Sequence, residues 1–158
     1  MRAEVHSINV SDGGVPKSMV ESADIMKSGV EGDFNRIRSD KGGNADRAVC
    51  IFSLELIQQL KHEGHPIEIG STGENLTIRG VKWDSLSEGT RLEIGDVVLE
   101  LSEPCAPCSK IGESFIGRRF DRVDHDQEYG WSRWLARVLR EGRVSVGDSV
   151  NIVITPDQ

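Results

Sequence analysis

Thr90–Leu101 reads TRLEIGDVVLEL. Leu92 and Ile94 alternate with Arg91 and Glu93, Gly95-Asp96 interrupts, and Val97–Leu101 resumes the apolar run. Period-two alternation on both sides of a Gly-Asp pair predicts strand, tight turn, strand. The pattern R-(L/V)-x-(I/V)-G-D-x-V returns 52 residues on, within Arg143–Val153, RVSVGDSVNIV. Either Gly-Asp is simply a common turn, or both stretches are the same strand–turn–strand device in a closed sheet.

Outward from this hairpin, Ala3–Val10 reads as a strand ending at Ser11-Asp12-Gly13-Gly14, and Ser18–Ile25 as a weaker one. Ala48–Phe52 (AVCIF) is a short apolar run that predicts a buried strand. Ser53 then has the chemistry of an N-cap, Leu54, Ile57 and Leu60 share one helical face, and Gly64 ends the helix. Ile67–Ile69 and Leu76–Ile78 are short strand candidates around Gly70–Gly73. Tyr129–Glu141 (YGWSRWLARVLRE) places Trp131, Trp134, Leu135, Val138 and Leu139 at helical spacing, which predicts an amphipathic helix with Gly142 just past its end. Seven to nine strands and two or three helices, without one-for-one alternation, argue against a doubly wound sheet and for a mainly β fold, a small closed barrel decorated by helices.

The chain has 158 residues, enough for one domain over 1–158. A chain of this length buries roughly 70% of its unfolded surface and needs no disulfide or metal staple. Nineteen basic against 26 acidic residues give a net charge of -7, the wrong sign for a non-specific nucleic-acid binder. An anionic ligand would require a local basic pocket. No apolar run approaches the roughly 20 residues that span a bilayer. The N-terminus MRAEVHSINVSDGG has no apolar signal core, so the expected location is the cytoplasm, with no membrane and no nucleic acid as partners. Cys50, Cys105 and Cys108 are too few, and odd in number, for a secreted disulfide framework.

The sharpest chemical feature is Leu99–Lys110, LELSEPCAPCSK. A strand is expected to end at Ser102, two prolines stiffen the chain beyond it, and Lys110 lies two residues past Cys108. A neighbouring ammonium favours thiolate, the form that attacks and that binds soft metals. Four readings remain: a zinc half-site, a redox dithiol, a structural pair, or a single functional thiolate at Cys108 with Cys105 accessory. Zinc lacks a second half-motif, and a redox dithiol lacks its usual helical setting. A basic, glycine-rich stretch holds Arg36, Arg38, Lys41, Gly42, Gly43 and Arg47. It is either a solvated turn or a cradle in which amides and cations grip an anion such as phosphate. Gly73-Glu74-Asn75-Leu76-Thr77 either orients a ligand or caps a turn. Asp124-His125-Asp126 has ligand residue types and reads as solvated surface.

Taken in order, these segments resemble the MOSC domain, the C-terminal domain type of molybdenum-cofactor sulfurases, which also occurs as standalone bacterial proteins. Val5–Pro16 resembles the family's opening strand and Gly-Gly turn, and Gly29–Asp33 (GVEGD) its G-(I/L)-x-G-D. Gly42–Val49 (GGNADRAV) is similar to its G-G-x-D-x-A-V, Gly73–Thr77 (GENLT) to its G-E-N-L/F-T, and Pro107-Cys108-x-Lys110 to its P-C-x-K. Gly142-x-Val144-x-x-Gly147-Asp148 resembles the closing strand. Lys41 stands where the family usually has His, and Cys105 where it often has Arg. The resemblance implies a β-barrel that binds the molybdenum cofactor, a pterin carrying a phosphate and a dithiolene, or that handles sulfur for it. At family level it also carries pyridoxal phosphate binding. It implies reduction of N-hydroxylated compounds with a separate electron-transfer protein, or a carrier role delivering sulfur or cofactor to a molybdoenzyme acceptor. Cys108 would be the acting residue, as molybdenum ligand or persulfide carrier. Arg36, Arg38, Lys41, Gly42, Gly43, Arg47 and Lys110 would serve the anionic end, and Glu74 and Asn75 the pterin edge. The chain has no C-x-x-C-H haem signature, no four-cysteine cluster set and no G-x-G-x-x-G, so a reductase of this sequence draws electrons from another protein.

Overall fold

A computed structural model describes residues 2–34 and 45–154. Among them run β1 (Glu4–Val10), β2 (Ser18–Val20), β3 (Ser22–Met26), β4 (Gly29–Val30), β5 (Val49–Ser53), α1 (Leu54–His62), β6 (Leu76–Arg79), β7 (Arg91–Ile94), β8 (Val97–Cys105), β9 (Arg133–Arg140), β10 (Gly142–Ser145) and β11 (Asn151–Val153). The fold is mainly β, as the residue patterning implies. Eight strands form one sheet in the order β11-β7-β8-β9-β5-β6-β1-β2, and β10-β3-β4 form a second. Short 3-10 turns fill the stretch 109–123.

The barrel expected from the sequence is not closed by a strand ladder. At the seam a single bridge joins Glu4 to Ser149. Main-chain bonds from Val5 N to Asp148 O, Gly147 N to Val5 O and Val150 N to Ala3 O accompany it. The two Gly-Asp stretches therefore do different work. Ile94 pairs with Val97 across Gly95-Asp96, a two-residue hairpin with Gly95 at φ +60°. Around Gly147-Asp148 the chain instead leaves β10, which pairs with β3, and enters β11, which pairs with β7.

The Tyr129–Glu141 helix is overturned: Arg133–Arg140 is β9, and Gly142 opens β10. β9 lies between β8 and β5, and Arg133, Trp134, Leu135 and Ala136 are all buried. A strand covered on both faces shows no period-two alternation, so its apolar residues fell by chance on a helical stripe. Ser18–Ile25 divides between β2 and β3, in different sheets. Gly29–Val30 forms β4, and Ile67–Ile69 forms no strand, although Ile67 is buried. β8 runs through Ser102 to Cys105, three residues past its expected end.

α1 follows its capping chemistry. The Ser53 hydroxyl accepts from Leu56 N at 3.1 Å, and Leu54, Ile57 and Leu60 are buried. The helix is the crossover between β5 and β6, which pair in parallel. The core gathers Ile8, Ile51, Phe52, Ile57, Leu76, Ile78, Leu99 and Leu101, with Trp83 edge-on to Phe52 at 6.3 Å. Among the described residues no helix is long and apolar enough to cross a membrane.

Candidate functional site

Three adjacent strands carry the chain's thiols to one place. β9 pairs with β5 on one edge (Cys50 opposite Leu135) and with β8 on the other (Glu103 opposite Leu135, Cys105 opposite Arg133). Beyond β8 the chain passes Ala106-Pro107 without turn or bend, and Cys108 is extended at φ -144°, ψ 175° before a 3-10 turn over Ser109–Ser114. The result is a cavity of about 250 Å³ walled by Cys50, Cys105, Cys108, Arg133, Lys110 and the Thr72-Gly73 turn, with Lys17, Phe34 and Arg47 completing it. Cys50 is buried, Cys105 half-buried and Cys108 exposed at the rim, and all three are free thiols.

The turn on the far side is built by close backbone approach. Lys17 N donates to Gly70 O at 3.0 Å, and a Cβ at Gly70 would lie 2.7 Å from Lys17 O, at a φ of +83°. Only glycine fits there. Glu74 follows this turn and is fully buried. Its carboxylate accepts from Gly70 N (2.9 Å), Thr72 Oγ1 (2.8 Å) and Thr77 Oγ1 (3.1 Å). Burial outweighs these donors and holds its pKa above the ordinary carboxylate value. The Asn75 amide is equally occupied. Its Oδ1 accepts from Cys50 N at 3.0 Å, and its Nδ2 donates to Asp33 Oδ2 at 3.0 Å and Asn9 O at 3.3 Å. Neither Glu74 nor Asn75 is part of the cavity wall. Both side chains are engaged within the fold.

The cations of the wall differ in how far they are neutralised. Lys17 donates to Asp33 Oδ1 at 2.6 Å, an ion pair with both side chains under a tenth exposed. Arg47 pairs with Glu103 at 3.0 Å in a half-exposed bridge. Lys110, exposed at the rim, has no ion-pair partner among the described residues. Arg133 is only 5% exposed. Its Nη1 donates to Thr72 O at 2.6 Å, while its Nε is buried with no partner. A buried guanidinium without a carboxylate needs an anion from elsewhere.

The thiols supply one. The neighbouring Cys50 thiol and the charges of Arg133 and Arg47 bring Cys105 down to about 6 against the opposing effect of burial. The same proximity, with burial, pushes Cys50 up. Cys105 and Cys50 thus stand on the two strands that flank β9. Among the described residues no three His, Cys, Asp or Glu side chains converge as a metal-ligand group, and Asp124-His125-Asp126 is not one. His125 instead packs on Tyr129 and Trp134, at 5.0 and 5.8 Å.

Of the residues singled out in the sequence, Cys105, Cys108, Lys110 and Arg47 meet at the cavity. Arg36, Arg38, Lys41, Gly42 and Gly43 lie outside the described residues. Phe34 and Arg47, on either side of that stretch along the chain, both line the cavity. Sequence reasoning missed Arg133, because a helix would have pointed it elsewhere. It also missed Lys17 and the partnership of Cys50 with Cys105. The apolar AVCIF run was the one available signal for Cys50, since it marks a strand buried enough to sit at a core wall.

The chain is thus mainly β, with a cavity that sets thiols against a basic wall. Residues 38–151 match the family model of the MOSC domain, and the chain belongs to that family. It is 29% identical to the uncharacterized protein YflK of Bacillus subtilis strain 168 over 142 residues, 89% of this chain and 63% of that protein. It is 29% identical over 134 residues to a protein of Gibberella moniliformis named "Reductase", covering 82% of this chain and 23% of the relative. With YiiM of Escherichia coli K12 the identity is 26%, over 82% of this chain and 58% of the relative. The chain therefore spans less than two thirds of each of these relatives. The crystal structure of YiiM from Geobacillus stearothermophilus superposes with a TM-score of 0.73 at 25% identity, covering 96% of this chain and 75% of that one.

Proposed function

We propose that this cavity binds the pterin-based molybdenum cofactor, with Cys108 as the sulfur presented to the metal. The loaded protein then serves in the reduction of N-hydroxylated compounds with electrons from a separate donor protein. The observation that carries the reading is the wall itself, where exposed Cys108 stands beside Lys110 and the buried, incompletely partnered Arg133. A soft sulfur donor on a basic wall matches a ligand that joins a soft-donor metal centre to a phosphate. The donor set fits in a second respect. The wall offers no three-residue ligand cage among the described residues, so it suits a metal that arrives with ligands of its own.

When bound, the cofactor supplies the redox centre. The protein's own residues bind and orient. Cys108 is already extended at the rim, so its sulfur is presented without rearrangement of a turn. Lys110 and Arg133 hold the anionic end, and the Arg47–Glu103 pair borders the mouth. Phe34, Leu135 and Ile111 give the wall an apolar share that excludes water around the bound group. The name of the Gibberella moniliformis relative, "Reductase", supports this reading.

The exposure of Cys108 favours a second reading, a carrier that holds sulfur as a persulfide on Cys108 and passes it, or the cofactor, to a partner enzyme. One experiment separates cofactor binding from sulfur carriage alone. The chain and its Cys108→Ala variant are expressed in a host that makes the cofactor, purified anaerobically with reductant, and assayed for molybdenum and phosphorus per chain. Near-stoichiometric molybdenum in the wild type, lost in the variant, is expected. Molybdenum absent from both overturns cofactor binding, and an added sulfur on Cys108 by intact mass then establishes the carrier.

A further inference from the structure

We propose that Cys105 is a second reactive sulfur of this cavity, a thiolate paired with the buried guanidinium of Arg133, and that it takes an oxygen atom from hydrogen peroxide or a small hydroperoxide. The inference does not depend on any bound cofactor. It concerns the one motif position that the functional reading leaves idle, the first cysteine of C-x-x-C.

The geometry starts from the ladder. Cys105 and Arg133 are direct cross-strand partners in the β8–β9 pairing, and both line the cavity. Arg133 is 5% exposed, and its one side-chain hydrogen bond among the described residues goes to a neutral carbonyl, Thr72 O. An uncompensated buried charge is strongly destabilising. The carboxylate that acts on it, Glu74, is already held by three donors, and burial disfavours its charge. The Cys105 thiolate is therefore the natural counter-ion. Other groups facing Cys105 are the Cys50 thiol from β5, Glu103 from its own strand, and Arg47 from the 3-10 turn before β5. Lys17 and Lys110 stand on the same wall. Glu103 opposes the thiolate, and Cys50, Arg133 and Arg47 support it, leaving Cys105 at about 6.

The second observation names the reactant. Arg133 lines the cavity, and its Nε is buried with no acceptor. A molecule attacked by the neighbouring sulfur would leave its departing charge beside this guanidinium. A peroxide is such a molecule. The Cys105 sulfur attacks one oxygen, an S–O bond forms and the O–O bond breaks. The sulfur is oxidised by two electrons to sulfenic acid, and the peroxide is reduced. The other oxygen departs as hydroxide or alkoxide, beside the guanidinium that stabilises its developing charge, and takes a proton from solvent.

The test uses the full chain, without added cofactor, and the variants Cys108→Ser, Cys50→Ala and Arg133→Gln. One equivalent of hydrogen peroxide is added, sulfenic acid is trapped with dimedone, and the adduct is located by peptide mass. The rate of Cys105 alkylation by iodoacetamide is followed from about pH 5 to about pH 9. The expected adduct is on Cys105, in wild type and in Cys108→Ser alike. The alkylation midpoint should lie near 6 and rise toward the ordinary 9.0 in Arg133→Gln and in Cys50→Ala. At neutral pH a complete shift lowers the thiolate fraction from about nine-tenths to about one-hundredth. An adduct confined to Cys108, or a wild-type Cys105 midpoint near 9.0, overturns the proposal. If Arg133→Gln does not fold, Cys50→Ala decides, and an unmoved midpoint there counts against the pairing.

Discussion

Replacing Asn75 with alanine separates a ligand contact from a scaffold. Its amide closes three bonds: Cys50 N–H into Oδ1 at 3.0 Å, and Nδ2 out to Asp33 Oδ2 at 3.0 Å and Asn9 O at 3.3 Å. Asn75 is 3% exposed, so water does not replace what alanine removes. The Cys50 amide loses its acceptor, and Asp33 loses a donor while still paired with Lys17. Each stranded buried group costs about 1–3 kcal/mol, so the expected loss is about 2–5 kcal/mol. That is a large share of a typical domain's stability. The assay is urea denaturation of wild type and Asn75→Ala, followed by tryptophan fluorescence. Asn75→Asp adds a sharper control, since it keeps the acceptor for Cys50 but sets a second carboxylate against Asp33. Mutual repulsion of the two carboxylates should destabilise Asn75→Asp relative to wild type even though the Cys50 acceptor is kept. A loss below about 1 kcal/mol in Asn75→Ala, with ligand binding abolished, would refute the scaffolding argument and return Asn75 to the ligand's edge.

Gly70→Ala forces a Cβ to 2.7 Å from Lys17 O at a φ of +83°, and should cost about 2–4 kcal/mol by denaturation. Gly95→Ala, at φ +60° with nothing within 4 Å, should cost only about 1 kcal/mol. Glu74 has a folded pKa raised by burial above its ordinary 4.5, so its contribution is complete below 4.5 and lost as pH climbs through the raised value. The stability of Glu74→Gln relative to wild type should therefore improve with rising pH in that window, and a flat difference would show that Glu74 titrates normally. Arg47→Ala should weaken binding of an anionic ligand less than Lys110→Ala, because Glu103 already neutralises Arg47, as ligand titrations at low salt would reveal.

The site divides along the same line as the fold. Ser53 and its helix, the Gly95-Asp96 hairpin, β1 and β5 were all legible, because a cap, a tight turn or a short apolar run acts through neighbours along the chain. Cys108 and Lys110 were legible as well, since their chemistry is two residues apart. β9 was not. Its conformation comes from ladders to β8 and β5, and burial on both faces erases the alternation that announces a strand. With β9 unread, Arg133 could not be placed opposite Cys105, nor Cys50 on the far side of the same strand. The motif around Glu74 and Asn75 was visible, but the hydrogen bonds that occupy the Asn75 amide were not, because its partners Cys50, Asp33 and Asn9 lie far away along the chain. Local chemistry along the chain thus determines the turns, the helix and the thiol at the rim. The charge balance of the cavity follows from which strands lie side by side, because a buried charge is governed by neighbours in space that sequence spacing does not record.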